Sequence, residues 1–242
     1  MKLDVLAFGV HPDDVELSCG GVLLVEKKQG KKTGIIDLTQ GELGTRGTAE
    51  TRYTEATEAA KILEVDVREN LKMADGFFEN NELNQRKIVK ILRKYKPEIV
   101  LCNAPKDRHP DHGRSAKLVA VAAFLSGLQK VETMYNGEKQ LAWRPKYVLN
   151  YIQDRLLMPD FVIDITEVFE QKLKSIQAYT TQFYTPNENG PQTYISTPDF
   201  LDSVIYRHKW FGKMIGVKYA EGFISEKTVG FKNFDALIKE NT

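Results

Sequence analysis

Leu3-Asp4-Val5-Leu6-Ala7-Phe8-Gly9-Val10 runs straight into His11-Pro12-Asp13-Asp14, and this passage decides the fold. The apolar run is short, as expected for a strand covered on both faces. From residue 14 to 29 the apolar positions Val15, Leu17, Val22, Leu23 and Val25 follow a helical pattern, and Gly30 supplies a stop. The same order returns downstream. A second strand candidate at residues 98–103 is followed by His109-Pro110-Asp111-His112 and an Ala-rich helical stretch at 113–128. Three of the four histidines sit in these two tetrapeptides, each just beyond a strand.

Between the two tetrapeptides the pattern predicts a strand over 32–38, a helix over 48–63, a weaker strand over 67–71 and a helix over 82–95 that Pro97 closes. Further on, 146–152 and 160–163 read as strands and 165–179 and 199–214 as helices, with a loop over 185–192. Alternating strands and helices specify a single-domain, Rossmann-like, doubly wound and mainly parallel α/β sheet, helices on both faces, spanning residues 1–242. Ligands of such sheets bind beyond the carboxyl ends of the strands, where both His tetrapeptides fall. The loop over 39–47, with Gly41, Gly44 and Gly47, leaves a third such end and is flexible enough to lie against a substrate.

Charge and cysteine content narrow the function. With 34 basic and 33 acidic residues the chain carries a formal charge of +1 and shows no basic stripe, which argues against a nucleic-acid partner. Lys27-Lys28 and Lys31-Lys32 read as a solvated helix end. The two cysteines, Cys19 and Cys102, form no CxxC pair, which speaks against a disulfide framework and a zinc ribbon and suits a reducing cytoplasm. No charged leader precedes the first strand, and no apolar run approaches the roughly 20 residues that span a bilayer. The expected setting is cytoplasmic, without a membrane partner.

The tetrapeptides read as a hydrolytic metal site. A catalytic zinc takes three protein ligands and keeps one position open. His11, Asp14 and His112 supply two imidazoles and a carboxylate, and Pro12 restricts the turn between the first two. Asp13 is then left beside the ion as a general base for water, and His109 as a donor to an oxyanion. Asp111 is expected to orient His109 and favour its protonated form. Cys19 reads as a small buried residue and His208 as a surface residue.

These residues resemble the LmbE/PIG-L family of zinc-dependent N-acetylglucosaminide deacetylases. The resemblance rests on His11-Pro12-Asp13-Asp14, Gly20-Gly21, Thr39-x-Gly41-Glu42, Arg52-x-x-Glu55-Ala56 and His109-Pro110-Asp111-His112, so it covers most of the first ~115 residues. It implies one Zn2+ per chain (or Fe2+), held by His11, Asp14 and His112, with Asp13 as base and His109 at the oxyanion. It also implies a small-molecule N-acetylglucosaminide substrate contacted by Arg52 and Asp75, and a homo-oligomer. The stretch 41–47 and Thr193-Tyr194-Ile195-Ser196 are most similar to the bacillithiol-pathway enzymes, which implies N-acetylglucosaminyl-L-malate as substrate and a contact from Tyr194. Another N-acetylglucosaminide deacetylase or a thiol-conjugate amidase is the nearest alternative. Competing classes are a non-haem iron oxygenase, which shares the two-histidine, one-carboxylate set, and a nucleotide-binding module. The latter lacks a G-x-G-x-x-G after the first strand. A binuclear phosphoesterase needs more ligands than four histidines comfortably supply.

Overall fold

The computed structural model describes residues 1–186, 190–231 and 233–235, so part of the loop expected over 185–192 lies outside the described residues. The chain runs β1 (Val5–Gly9), α1 (Asp14–Ser18), α2 (Gly20–Lys28), β2 (Thr33–Asp37), α3 (Ala49–Ile62), β3 (Val67–Asn70), α4 (Glu82–Tyr95) and β4 (Ile99–Cys102). It continues through α5 (Pro110–Ser126), a small hairpin of β5 (Met134–Tyr135) and β6 (Glu138–Lys139), β7 (Tyr147–Tyr151) and β8 (Phe161–Asp164). A 3-10 turn (Thr166–Val168), α6 (Phe169–Gln177), α7 (Pro198–Ile215) and β9 (Ala220–Ser225) complete it.

Seven strands form one sheet in the order β3-β2-β1-β4-β7-β9-β8. The first five are parallel, and β9 pairs antiparallel with both β7 and β8. Strand order reverses between β1 and β4, which opens a crevice beyond their carboxyl ends. Successive residues of β1 serve opposite faces, as a strand's period of two requires. Leu6 and Phe8 join the core under α4 and α5, and Val5 and Ala7 the core that includes Val22 and Leu23 of α2 and Phe169 of α6. The helices expected over 48–63 and 82–95 are also found. Thr48 caps α3 with a reciprocal Thr51 box, Asn81 caps α4, and Lys96 in the left-handed region closes α4 before Pro97. No helix of the described residues is long and apolar enough to cross a membrane.

Two expectations fail for one physical reason, a buried charge cluster that local pattern does not reveal. The single helix expected over 14–29 is two helices, broken at Cys19 (φ −141°, ψ 12°). The Glu221 carboxylate accepts from the N–H groups of Gly21 and Val22 at 2.9 and 2.7 Å, capping the opening of α2 from across the sheet. Gly21 must be glycine there, since a Cβ would stand 2.9 Å from Glu221 Oε1 and from Ile165. Strand β9, which carries Glu221, escapes the sequence pattern because Ala220-Glu221-Gly222 looks polar and turn-like. Lys172 Nζ donates to Glu221 at 2.5 Å and to the Leu17 carbonyl at 3.2 Å, with both charged groups fully buried.

His208, expected on the surface, is instead 1% exposed beside this pair. Its ring meets the Val204 carbonyl at 2.6 Å, and burial, with Lys172 and Arg207 nearby, pushes its pKa well below the usual histidine range. A histidine depressed in the folded state adds stability that is complete above its unfolded pKa and is lost as pH falls. Against a His208→Gln variant, the wild type should lose stability below about pH 6.5, at up to about 1.4 kcal/mol per pH unit. Urea-unfolding free energies of the two proteins that run parallel from pH 7 to 5 would contradict this.

Candidate active site

At the end of β1 the chain turns so sharply that Asp13 sits at φ +137°, a backbone conformation that costs on the order of 1–3 kcal/mol for a non-glycine residue. Bonds to its neighbour offset that strain. Asp14 Oδ2 accepts from the backbone N–H groups of Val10 (2.9 Å) and His11 (3.0 Å) and from Asn103 Nδ2 (2.9 Å), and its Oδ1 accepts from Gln153 Nε2 at 2.6 Å. Burial works against the charge on Asp14, but His112, His11 and the His11 N–H hold its pKa well below the usual carboxylate range.

His109 caps α5, Pro110 opens it, and His112 stands in its first turn, so the second tetrapeptide folds back over the end of β1. His112 Nε2 lies 3.3 Å from Asp14 Oδ1, and His11 Nδ1 lies 3.8 Å from Asp14 Oδ2. Ring nitrogens of His11, His109 and His112 come within 4.8 Å of one another. The remaining nitrogens of two rings are held by carboxylates, His11 Nε2 by Asp75 at 2.9 Å and His112 Nδ1 by Asp107 at 2.6 Å. Such pairs fix the orientation of metal-binding imidazoles.

This donor set fits a metal ion. Donors sharing a tetrahedral ion at about 2.1 Å stand roughly 3.4 Å apart; His112 Nε2 is 3.3 Å from Asp14 Oδ1, and His11 Nδ1 is 3.8 Å from the other oxygen, Oδ2. Burial opposes a charge on His112, yet Asp14 and Asp107 outweigh it and raise its pKa to about 10. His11, Asp75 and Asp111 also gather within 4.8 Å. There Leu43 N reaches Asp75 Oδ2 at 3.1 Å, and Gly76 N and Arg114 Nη1 reach Asp111 at 2.9 and 2.7 Å.

A cavity of about 400 Å³ opens over the histidines, lined also by Asp13, Arg52 and the loop after β2. Burial lifts Asp13 to about 7 against the pull of Arg52. Arg52 Nη2 donates to Asp13 Oδ2 (2.9 Å) and to the Pro12 carbonyl (2.5 Å), while Nη1 donates to Gln182 Oε1 (2.5 Å). Gly41, at φ +66°, lets the loop pass over this guanidinium, where a Cβ would stand 2.8 Å from Nε. That loop is tied down through Glu42, which accepts from Asp75 N at 2.9 Å. Tyr194 stands at the rim, its hydroxyl donating to Asp154 Oδ1 at 3.0 Å.

Sequence reading and structure part at Asp111. Its carboxylate turns to Gly76 and Arg114, and only its backbone N–H reaches His109, donating to Nδ1 at 3.3 Å. Burial, with His11 and His112 nearby, lowers the pKa of His109 and outweighs the charges of Asp111 and Asp14, which act to raise it. With Nδ1 accepting from the Asp111 N–H, the proton of the ring falls on Nε2. Asn103, Asp107, Gln153 and Gln182 were not anticipated. Asn103 and Gln153 follow β4 and β7 directly, so the strand-end rule that found His11 also points to them. Gln182 reaches Arg52 from beyond α6 and has no local signal.

Residues 6–124 match the family model PIG-L, described as GlcNAc-PI de-N-acetylase. The crystal structure of the conserved protein TT1542 from Thermus thermophilus superposes with a TM-score of 0.85 at 33% identity, covering 95% of this chain and 97% of that one. The chain belongs to the PIG-L/LmbE deacetylase family. Other PIG-L/LmbE relatives are named for their substrates. Diacetylchitobiose deacetylase of Thermococcus kodakarensis is 27% identical over 90% of this chain and 81% of its own length. A probable N-acetyl-alpha-D-glucosaminyl L-malate deacetylase 2 of Bacillus subtilis is 25% identical over 75% and 84%. Both histidine tetrapeptides, Arg52 and Asp75 lie inside the PIG-L match, whereas Gln153, Gln182 and Tyr194 lie outside it.

Proposed function

We propose that this chain is a zinc-dependent N-deacetylase that removes acetate from an N-acetylglucosamine unit, with N-acetylglucosaminyl-L-malate as substrate. The observation that carries the reading is the convergence of His11, Asp14 and His112 at the β1–β4 crevice, with Asp13 facing the same cavity. Two imidazoles and one carboxylate leave a position open on zinc, and His11, Asp14 and His112 would hold it. When bound, the ion polarises the amide carbonyl and makes water acidic enough to attack near neutral pH.

The remaining chemistry belongs to side chains. Asp13, lifted to about 7, takes the proton of the attacking water and returns it to the amine nitrogen as the C–N bond breaks, giving acetate and free amine. Nε2–H of His109 donates to the oxygen that gains negative charge in the tetrahedral intermediate. Arg52 holds Asp13 in place and Asp75 orients His11, so both act as positioning residues beside the sugar contacts that the family resemblance implies. Tyr194, which lines the cavity at its rim, contacts the substrate in this reading. Two free, buried cysteines fit a reducing, cytoplasmic setting.

Amine release measured across N-acetylglucosaminyl-L-malate, free N-acetylglucosamine and its β-linked oligomers tests this reading. The malate conjugate should give the highest kcat/KM. Preference for the oligomers would overturn the malate assignment, and release from none of them would overturn the deacetylase reading.

A further inference from the structure

One arginine in the cavity wall has no anion to answer it. Arg207 on α7 lines the same cavity as His11, Asp13 and His112. Its Nη2 donates to the Leu17 carbonyl at 3.2 Å, while its Nε is sealed from solvent without a hydrogen-bond partner. Among the described residues no carboxylate stands within ion-pair distance of it. The acidic groups acting on it from farther away are engaged elsewhere: Asp154 with Arg108 at 3.4 Å, Asp107 with His112 at 2.6 Å and Glu221 with Lys172 at 2.5 Å. Burial outweighs their pull and lowers Arg207 to about 10.

A guanidinium withdrawn from water without a counter-charge is costly, and it is kept where something else supplies that charge. Its planar fork matches a carboxylate better than it matches sugar hydroxyls. The surroundings add a second cation. The Arg108 guanidinium lies 4.2 Å over the ring of Tyr194 at the rim, and its side chain is 43% exposed. The lining is therefore divided by its unanswered charge: Asp13, Asp14 and Asp75 stand about the histidines, with Arg52 bonded to Asp13, while on the α7 and rim side Asp154 answers Arg108 and Arg207 is left without a carboxylate. A substrate that is neutral at its acetamide and acidic at its other end matches that division, and a neutral oligosaccharide does not.

We propose that Arg207 anchors a carboxylate on the group attached to the sugar, and so selects acidic over neutral conjugates. The identity of the sugar rests on the deacetylase reading, but the anion site does not. Calorimetric titration of metal-free protein with L-malate tests the site alone. Wild type should bind, Arg207→Met should weaken binding at least ~10-fold, and Arg207→Lys, which keeps the charge, should fall between. No binding by wild type, or equal binding by a folded Arg207→Met, would overturn the proposal. In the metal-loaded enzyme, the kcat/KM ratio of N-acetylglucosaminyl-L-malate to methyl N-acetylglucosaminide should drop at least ~10-fold in Arg207→Met. An equal loss on both substrates, with Arg207→Lys no better, would mark a structural role and overturn it. If wild type releases amine from neither conjugate, the deacetylase reading fails, and the malate titration still decides the role of Arg207.

Discussion

Asp13→Asn should retain one metal ion per chain and lose at least ~100-fold in kcat, within the ~10²–10⁴-fold range that positioned acid–base groups contribute. Asparagine preserves the volume and an acceptor for Arg52, which now reaches Asp13 at 2.9 Å. It cannot take up the proton that attacking water must lose or deliver one to the leaving amine. Arg52 keeps its bonds to Pro12 and Gln182, so the guanidinium is not stranded by the change. The ligand cluster is also spared, since Asp14 takes its hydrogen bonds from Val10, His11, Asn103 and Gln153. Near-normal turnover, with metal content and melting temperature verified as unchanged, would remove Asp13 from the mechanism.

Glu221→Ala should be the most destabilising single change outside the cavity. It leaves the Lys172 ammonium buried with only the Leu17 carbonyl, and deprives Gly21 N and Val22 N of their acceptor. Removing one partner of a buried ion pair costs about 3–5 kcal/mol. At about 2–4 °C per kcal/mol for a chain of this size, Tm should fall by roughly 10 °C. The double variant Lys172→Met/Glu221→Leu should recover much of the loss, because a buried pair replaced by apolar groups of similar volume is often neutral. Recovery should stop short of wild type, since the two N–H groups at the start of α2 stay unmet at about 1–3 kcal/mol each. A single variant that melts within about 2–3 °C of wild type would show that this cluster contributes little.

Local signals carried far along the first half of the chain. Helix α4 begins at Glu82 and ends at Tyr95, as its apolar spacing and the following Pro97 predict. The second half was harder. Strand β9 carries a buried Glu and a Gly, and its identity as a strand depends on neighbours β7 and β8 that are distant in sequence. His208 misled for a related reason. Flanked by Arg207 and Lys209 it looks solvated, yet helix packing turns it onto Phe169 at 5.7 Å between ring centroids.

The sequence by itself determined that two His-bearing tetrapeptides end parallel strands, and with them the doubly wound sheet and a candidate set of metal ligands. Residue type, apolar period and turn chemistry are local properties, so one chain read in order contains them. Tertiary structure decided what those residues do to one another. It gave Arg52 to Asp13, Asp75 to His11 and Asp107 to His112, turned Asp111 away from His109, and brought Arg207 to the cavity from α7. These are contacts between distant segments, and charge, tautomer and pKa follow from burial and from partners that sequence spacing does not specify.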